Sequence, residues 1–300
     1  MKADLLIVGS GALATLFAAR LSAAGVNVIM LGSWWEGLAA LRKNGASLDG
    51  GNSQSVQATD NPADCRGAKI ALVMVKSWKT EHVASQLAEC LADDGLAVTL
   101  QNGLGNDLIL SNTLGNRRVS RGVTTVGANL LAPGIVRSGG EGVINLEAHP
   151  HLTELEEMLR LAGFDVSILK NLEPVVWGKL IINAAINPLT ALLRVKNGDL
   201  LTNPPARALM DELAGEATHV AQALAVVLPF SDAKRAVEEV ARRTAENKSS
   251  MLQDVLREGP TEVDAINGAI IRLGEKKGVP CPVNQTICSL VKALPVRDKI

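Results

Sequence analysis

Apolar residues recur with two different spacings along the chain, and the change falls near residue 150. Upstream, short continuous apolar runs at residues 4–8, 27–31, 70–75 and 96–100 have the length of strands. Helical spacing predicts helices over 12–24, stopping at Gly25, and over 80–92. Residues 122–129 and 142–146 read as further strands, with Ala132-Pro133-Gly134 as a turn between them. Alternation of β and α segments, with runs this apolar, implies a parallel sheet covered on both faces. From residue 152 the pattern is helical: an amphipathic 152–162, a strand-like 165–169, then helices over 204–224, 232–245, 250–257 and 261–277. The expected architecture is an α/β domain over residues 1–170 and an all-helical domain over 171–300, with the boundary near Lys170-Asn171. A cleft between two such domains is where ligands commonly bind.

Bulk properties narrow the class. Three hundred residues, 47% apolar and 20% charged, suffice for two domains with real cores. A net charge of −1 gives no basic footprint for nucleic acid. Cys65, Cys90, Cys281 and Cys288 form no C-x-x-C pair and have no histidine spacing suggestive of a metal, so none is expected. Reduced thiols in a cytoplasmic protein are the expectation. The first residues read as a strand, not a signal peptide, and the longest apolar stretches, near 221–229 and 180–193, are too short or interrupted for a bilayer. A soluble protein with no membrane partner follows; a homodimer is compatible with the sequence, which does not fix the oligomeric state. Absence of tyrosine excludes any scheme that needs a tyrosine acid.

Gly9-Ser10-Gly11-Ala12-Leu13-Ala14 joins the first strand to the first helix, the setting that the G-x-G-x-x-G/A dinucleotide fingerprint requires. Gly9 permits the tight turn, Gly11 lets backbone approach a pyrophosphate, and Ala14 allows close helix–sheet packing. The first domain is accordingly expected to be a Rossmann-type, doubly wound sheet. At the end of the second strand, Leu31-Gly32-Ser33-Trp34-Trp35 carries no carboxylate before Glu36. NAD sites usually place an acid there, so NADP is favoured, although the arginine that would grip its 2′-phosphate is also missing. Ser33, Lys76, Arg42 and Lys43 are the candidate substitutes.

Polar groups in apolar surroundings point to a second site. Lys179, Asn183 and Asn187 are four residues apart within an apolar helical run, so they share one side of a buried helix. Such groups need partners, supplied by a ligand or equally by a neighbouring helix. Pro188 should kink this helix, since it lacks an N–H and crowds the carbonyl of Ala184. Lys76 and Asn102 stand at the carboxyl edges of two strands, where cofactor sites lie, or serve only as turn residues.

Taken together, these segments resemble the ketopantoate reductase family. The likeness also runs through Val75-Lys76-Ser77-Trp78, Asn102-Gly103-Leu104-Gly105, Trp177-Gly178-Lys179-Leu180 and Lys196-Asn197-Gly198. It continues in residues 246–254, Glu246 to Asp254, and in Pro260-Thr261-Glu262-Val263-Asp264-Ala265-Ile266-Asn267-Gly268. The resemblance implies a helical C-terminal domain of the 6-phosphogluconate dehydrogenase type and NADPH-dependent reduction of ketopantoate to (R)-pantoate, a step towards pantothenate and coenzyme A. It implies that Lys179 is the general acid and that Glu262, the second catalytic group, hydrogen-bonds the substrate hydroxyl. It further implies that Asn102, Asn183, Asn187, Asn197, Asn247 and Ser250 line the substrate and cofactor site. Gly9, Ser10, Gly11, Ala12, Leu13, Ser33, Lys76, Asn102 and Glu262 are the implied cofactor contacts. Ser33 departs from the arginine of better-known members, which leaves the choice of NADPH over NADH open.

Chemistry supports the same acid without the family. Hydride addition to a ketone builds charge on its oxygen, and a lysine can protonate it if burial lowers the pKa from about 10.4. For Glu262 and Ser250, helix capping is the competing explanation: a carboxylate in a helix first turn after Gly259-Pro260-Thr261, and a capping box in Ser250-Met251-Leu252-Gln253. Two other functions stay open, a reductase of another small 2-keto acid and a non-catalytic NADP-binding regulatory protein.

Overall fold

Continuous apolar runs in the N-terminal half become neighbouring strands because both faces of their sheet are covered. The computed structural model describes residues 3–296. Its strands are β1 (Leu5–Val8), β2 (Val28–Leu31), β3 (Ser47–Leu48), β4 (Gln57–Thr59), β5 (Ala68–Val73), β6 (Leu91–Thr99), β7 (Val119–Thr124), β8 (Ala128–Ala132), β9 (Ile135–Ser138), β10 (Val143–Glu147) and β11 (Asp165–Leu169). The first helices are α1 (Ala12–Ala23), α2 (Trp35–Asn44), α3 (Thr80–Cys90), α4 (Asn106–Leu114) and α5 (Thr153–Leu161). After them come α6 (Glu173–Leu193), α7 (Asp199–Thr202), α8 (Pro204–Ala223), α9 (Ala233–Arg243), α10 (Ser250–Leu256), α11 (Asn267–Lys277) and α12 (Pro282–Lys292).

One unit comprises the chain up to Gln101 together with Asn106–Leu172. Its main sheet has the order β11-β10-β7-β6-β5-β1-β2-β4, and the six strands from β7 to β4 are parallel. Successive strands lie first to one side of β1 and then to the other, so the order reverses at β1, where open α/β sheets bind ligands. Period-two alternation divides the core: Leu5, Ile7, Val28, Met30, Ile70 and Leu72 pack on one face with α1 and α5. Leu6, Val8, Ile29, Leu31, Ala71 and Val73 pack on the other with α3 and α4. The Rossmann-type, doubly wound expectation holds, with one correction. β10 runs antiparallel to β7 and carries β11 with it, so the sheet is mixed and not purely parallel. The run at 122–129 is also two strands, because Thr124 Oγ1 takes the Val126 N–H at 3.0 Å and the chain turns before β8. β8 then pairs with β9, and β9 with β3, in a separate three-stranded sheet.

The second unit comprises Asn102–Gly105 and the chain from Glu173 onward. Beyond that short segment its regular structure is all helical among the described residues, as expected. α6 is the central rod, in contact with α8, α9, α10 and α12. Its 21 residues are long and apolar enough to cross a membrane, yet positions 173–192 are all buried or half-buried in this unit's core. Gly178 admits a neighbour: a Cβ there would lie 2.7 Å from Pro229 Cγ. The helix expected to begin at 261 starts at Asn267, since Glu262 O accepts the Ala265 and Ile266 amides, both at 3.1 Å, in a preceding turn.

Candidate functional site

In the first unit the sharp turn after β1 needs Gly9, whose φ is +135°, a region closed to ordinary side chains; its absent Cβ would sit 3.2 Å from the Met74 carbonyl. Gly9 donates its N–H to Leu31 O at 2.7 Å, tying the turn to the end of β2. Gly11 caps α1 with extended backbone, no side chain caps the helix, and no acid lies in its first turn. A Cβ on Gly11 would meet nothing within 4 Å. Uncapped amides, a bare glycine surface and the positive end of a twelve-residue helix are together suited to a pyrophosphate. Ala12 and Leu13 are half-buried, and Ala14 is fully buried against the core. Ser10 is buried beside Gly32, where a Cβ would come within 2.8 Å of its Oγ.

Polar groups at neighbouring strand ends sort themselves by what they already hold. Arg42 donates to Asp60 Oδ1 at 2.9 Å and to Ala58 O at 2.7 Å, so it is committed elsewhere. Lys43 is exposed on the last turn of α2. Lys76 lies 6.0 Å from the centre of the Trp78 ring. Ser33, exposed after β2, accepts a hydrogen bond from Lys79 Nζ at 2.7 Å, a partner that sequence reasoning missed. Gln101 braces the ends of β5 and β6, its Nε2 donating to Val75 O at 3.0 Å and to Thr80 Oγ1 at 2.9 Å.

The second unit brings Lys179, Glu262 and Asn102 together. Lys179 is half-buried on α6, and burial draws its pKa down to about 8 against the opposing pull of the Glu262 charge. Glu262 is only 5% exposed, and its Oε2 accepts from Asn102 Nδ2 at 3.3 Å. It lies in the turn before α11, five residues ahead of the helix start, so the first-turn dipole explanation does not apply. Asn102 is placed by Gly103: its φ is +83°, its absent Cβ would overlap Ala265 O, and Leu104 donates its N–H to that carbonyl at 2.9 Å.

Along α6, Asn183 is half-buried and Asn187 buried. Pro188 leaves Ala184 O without its helical donor, and Asn267 Nδ2 supplies one at 3.0 Å while also bonding Asn284 Oδ1 at 3.0 Å. Both asparagines are fully buried, and Asn284 Nδ2 passes the network on to Glu216 Oε2 at 2.8 Å. Nothing in the local sequence pattern flags this brace except two asparagines on otherwise apolar helix faces.

The remaining positions differ in setting. Asn197 is buried, its Nδ2 bonded to Thr244 Oγ1 at 2.9 Å and its Oδ1 without a partner. Its N–H reaches Asn247 O at 3.0 Å, although the Asn247 residue itself is exposed. Ser250 is exposed as the first residue of α10, and the cap assigned to it belongs to Ser249. Ser249 Oγ accepts the Leu252 N–H at 3.0 Å and lies 2.7 Å from Thr190 Oγ1 on α6.

Comparison with known proteins matches this combination. The family model described as ketopantoate reductase PanE/ApbA fits residues 5–151, and its C-terminal counterpart fits residues 171–295. A 2-dehydropantoate 2-reductase of Archaeoglobus fulgidus is 40% identical over 295 residues, covering 96% of each chain. A PanE/ApbA family ketopantoate reductase of Ralstonia eutropha superposes with a TM-score of 0.90 at 31% identity, over 97% of both chains. A D-mandelate dehydrogenase solved with NADH and anilino(oxo)acetate shares the fold at a TM-score of 0.90 and 23% identity, over 96% of this chain and 97% of that one. On both family models and on identity across nearly the full length, the chain belongs to the ketopantoate reductase family.

Proposed function

We infer that this enzyme reduces 2-dehydropantoate to (R)-pantoate, with NADPH as the hydride donor. The observation carrying the reading is a lysine with a pKa near 8 whose field includes a buried carboxylate bonded to a carboxamide. The first unit is assigned to the cofactor and the second to the substrate and proton chemistry. Gly9, Ser10, Gly11, Ala12 and Leu13 offer the pyrophosphate their backbone, with Lys76 and Ser33 at adjoining strand ends. When bound, the reduced nicotinamide supplies the hydride that ends on C2 of the keto acid.

As charge builds on the C2 oxygen, Lys179 delivers a proton to it and is left neutral; solvent returns the proton before the next turnover. At neutral pH a lysine of pKa about 8 is mostly protonated yet releases its proton readily, which is what a general acid requires. Glu262 accepts a hydrogen bond from the substrate's C4 hydroxyl, and Asn102 fixes that carboxylate. Asn183 and Asn187 sit one and two helical turns beyond the acid on the same side of α6, where they hold polar substrate atoms without neutralising the lysine. Asn197, Asn247 and Ser250 are assigned to substrate binding on the family pattern alone. Free, buried cysteines fit a reducing cytoplasm, since burial pushes Cys65 up to about 12 and Cys90 and Cys281 to about 11.

Steady-state oxidation of NADPH by ketopantoate, beside pyruvate, 2-oxoisovalerate and benzoylformate, tests the substrate. Ketopantoate should give the largest kcat/KM; a larger value for another keto acid overturns the assignment. Near-normal kcat in a Lys179→Ala enzyme would remove the proposed acid.

A further inference from the structure

We propose that Lys79, steadied by Ser33, is the cation that binds the 2′-phosphate of NADP(H) and sets the preference over NAD(H); this rests on the nucleotide reading above. In sheets of this kind the end of the second strand reads the ribose: an acid there takes the 2′-hydroxyl of NAD, and a cation accommodates the 2′-phosphate of NADP. Here β2 ends at Leu31, and Gly32-Ser33 follow with no charge of their own. The charge comes instead from another strand's turn. Ser77–Lys79 form a short 3₁₀ turn between β5 and α3, and from it Lys79 reaches the Ser33 hydroxyl at 2.7 Å.

β2 and β5 flank β1 on opposite sides, about 10 Å apart at two strand spacings. Lys79 therefore extends over the end of the strand that carries the glycine-rich turn. Ser10, inside that turn, abuts Gly32, the residue just before Ser33. The pyrophosphate cradle and the Lys79–Ser33 pair are thus neighbours along one sheet edge, in the order in which a dinucleotide presents its pyrophosphate and its adenosine ribose.

Three observations favour Lys79 over the other cations of this edge. Its ammonium has three donors and, among the described residues, a single side-chain partner, the neutral Ser33. Among the described residues no carboxylate pairs with it, so its charge is available to a dianion. Arg42, by contrast, is held by Asp60 and Ala58, and Lys76 lies against Trp78. Ser33 completes the grip, because its oxygen accepts from Lys79 while its own proton remains to be donated to a phosphate oxygen.

The test measures dissociation constants of NADPH, NADH, 2′,5′-ADP and 5′-ADP for the full-length enzyme by calorimetry. Quenching of Trp35 and Trp78, which are 72% and 43% exposed near this edge, provides a second reading. Wild type should bind NADPH and 2′,5′-ADP more tightly than their unphosphorylated counterparts, by a margin that shrinks with added salt. Lys79→Gln should cut that margin about ten- to hundredfold, as expected for loss of a charge-assisted contact. Ser33→Ala should cut it less, and Lys43→Gln should leave it intact. Undiminished discrimination in Lys79→Gln, its loss in Lys43→Gln, or no discrimination by the wild type each overturns the proposal. Absence of turnover on ketopantoate, with 2′,5′-ADP discrimination retained, would instead overturn the substrate assignment and leave Lys79 in place.

Discussion

Replacing Asn267 with leucine should destabilise the protein by about 2–5 kcal/mol, and the cause can be isolated by a second substitution, at Pro188 on α6. Asn267 Nδ2 is the donor to both Ala184 O and Asn284 Oδ1, each at 3.0 Å. Ala184 O has no helical alternative, because the residue four positions on is Pro188. Leucine is close in size, so it removes two hydrogen bonds and leaves two buried acceptors bare, at about 1–3 kcal/mol apiece. Part of that loss is recovered, since the unpartnered Asn267 Oδ1 disappears as well. Pro188→Ala puts an N–H back beneath Ala184 O. It should recover about 1–2 kcal/mol in the Asn267→Leu background, and less in the wild type, where that carbonyl is already satisfied. Equilibrium urea unfolding of the four proteins, followed by circular dichroism, yields the coupling. Additivity within about 0.5 kcal/mol would refute the reasoning. The pair also bears on activity: the brace lies between Lys179 and the C-terminal end of α6, so Asn267→Leu should lower kcat, and an Asn267→Asp enzyme, lacking the amide donors, should not rescue it.

Further outcomes follow from the same geometry. In its proposed role Lys179 must be protonated to act, so kcat for ketone reduction should fall about tenfold per pH unit above its pKa of about 8; a flat profile to higher pH would contradict that role. Glu262 raises that pKa, so Glu262→Gln should move the alkaline limb to lower pH, and an upward movement would reverse the assigned sign. Because the folded pKa lies below the ordinary 10.5, the contribution of Lys179 to stability should rise with pH between about 8 and 10.5, against the buried thiols, whose raised pKa values make their own contribution fall above about 9. Lys179→Met should remove that rising contribution, so that stability falls more steeply with pH than in the wild type, while lowering kcat by about a hundredfold or more, measured by urea unfolding and steady-state kinetics. Gly103→Ala, forced into φ +83° against Ala265 O, should destabilise by about 2–5 kcal/mol and raise KM for the keto acid; wild-type stability would mean that this segment is not fixed as described.

What the sequence disclosed is governed by the range of the interactions. β1, β2 and β5 were legible because burial on both faces leaves an unbroken apolar run, and the glycine turn because a single local conformation needs Gly9. α6 was legible as a buried rod because its polar groups share one side. The mixed direction of β10 and β11 was not, since an apolar run carries no sign of strand direction. Contacts between distant residues were also hidden. Lys79 and Ser33 are 46 positions apart, Asn267 and Ala184 are 83, and Asn102 and Glu262 are 160. Local rules misplaced Glu262 and Ser250 for a related reason: both stand near helix starts in sequence, but the cap is made by Ser249 and the carboxylate is turned to a remote asparagine.

The composition of the Lys179 site suits the proposed role, in which the lysine visits two protonation states. A close, fully formed ion pair would hold the ammonium well above the working range and make it a poor donor. Burial alone, with nothing opposing it, would leave a neutral amine with no proton to give. Here burial is the larger influence and the Glu262 charge the smaller, and the balance stands near 8. Asn102 bears on that balance because its Nδ2 donates to Glu262 Oε2 at 3.3 Å and so helps to fix where the carboxylate lies. Neutral carboxamides at Asn183 and Asn187 fit the proposed role: there they would hold a polar substrate without adding charge that would upset the acid. An aspartate at either position would raise the lysine's pKa and slow proton release, so the choice of amide over acid along this face of α6 is itself part of the chemistry.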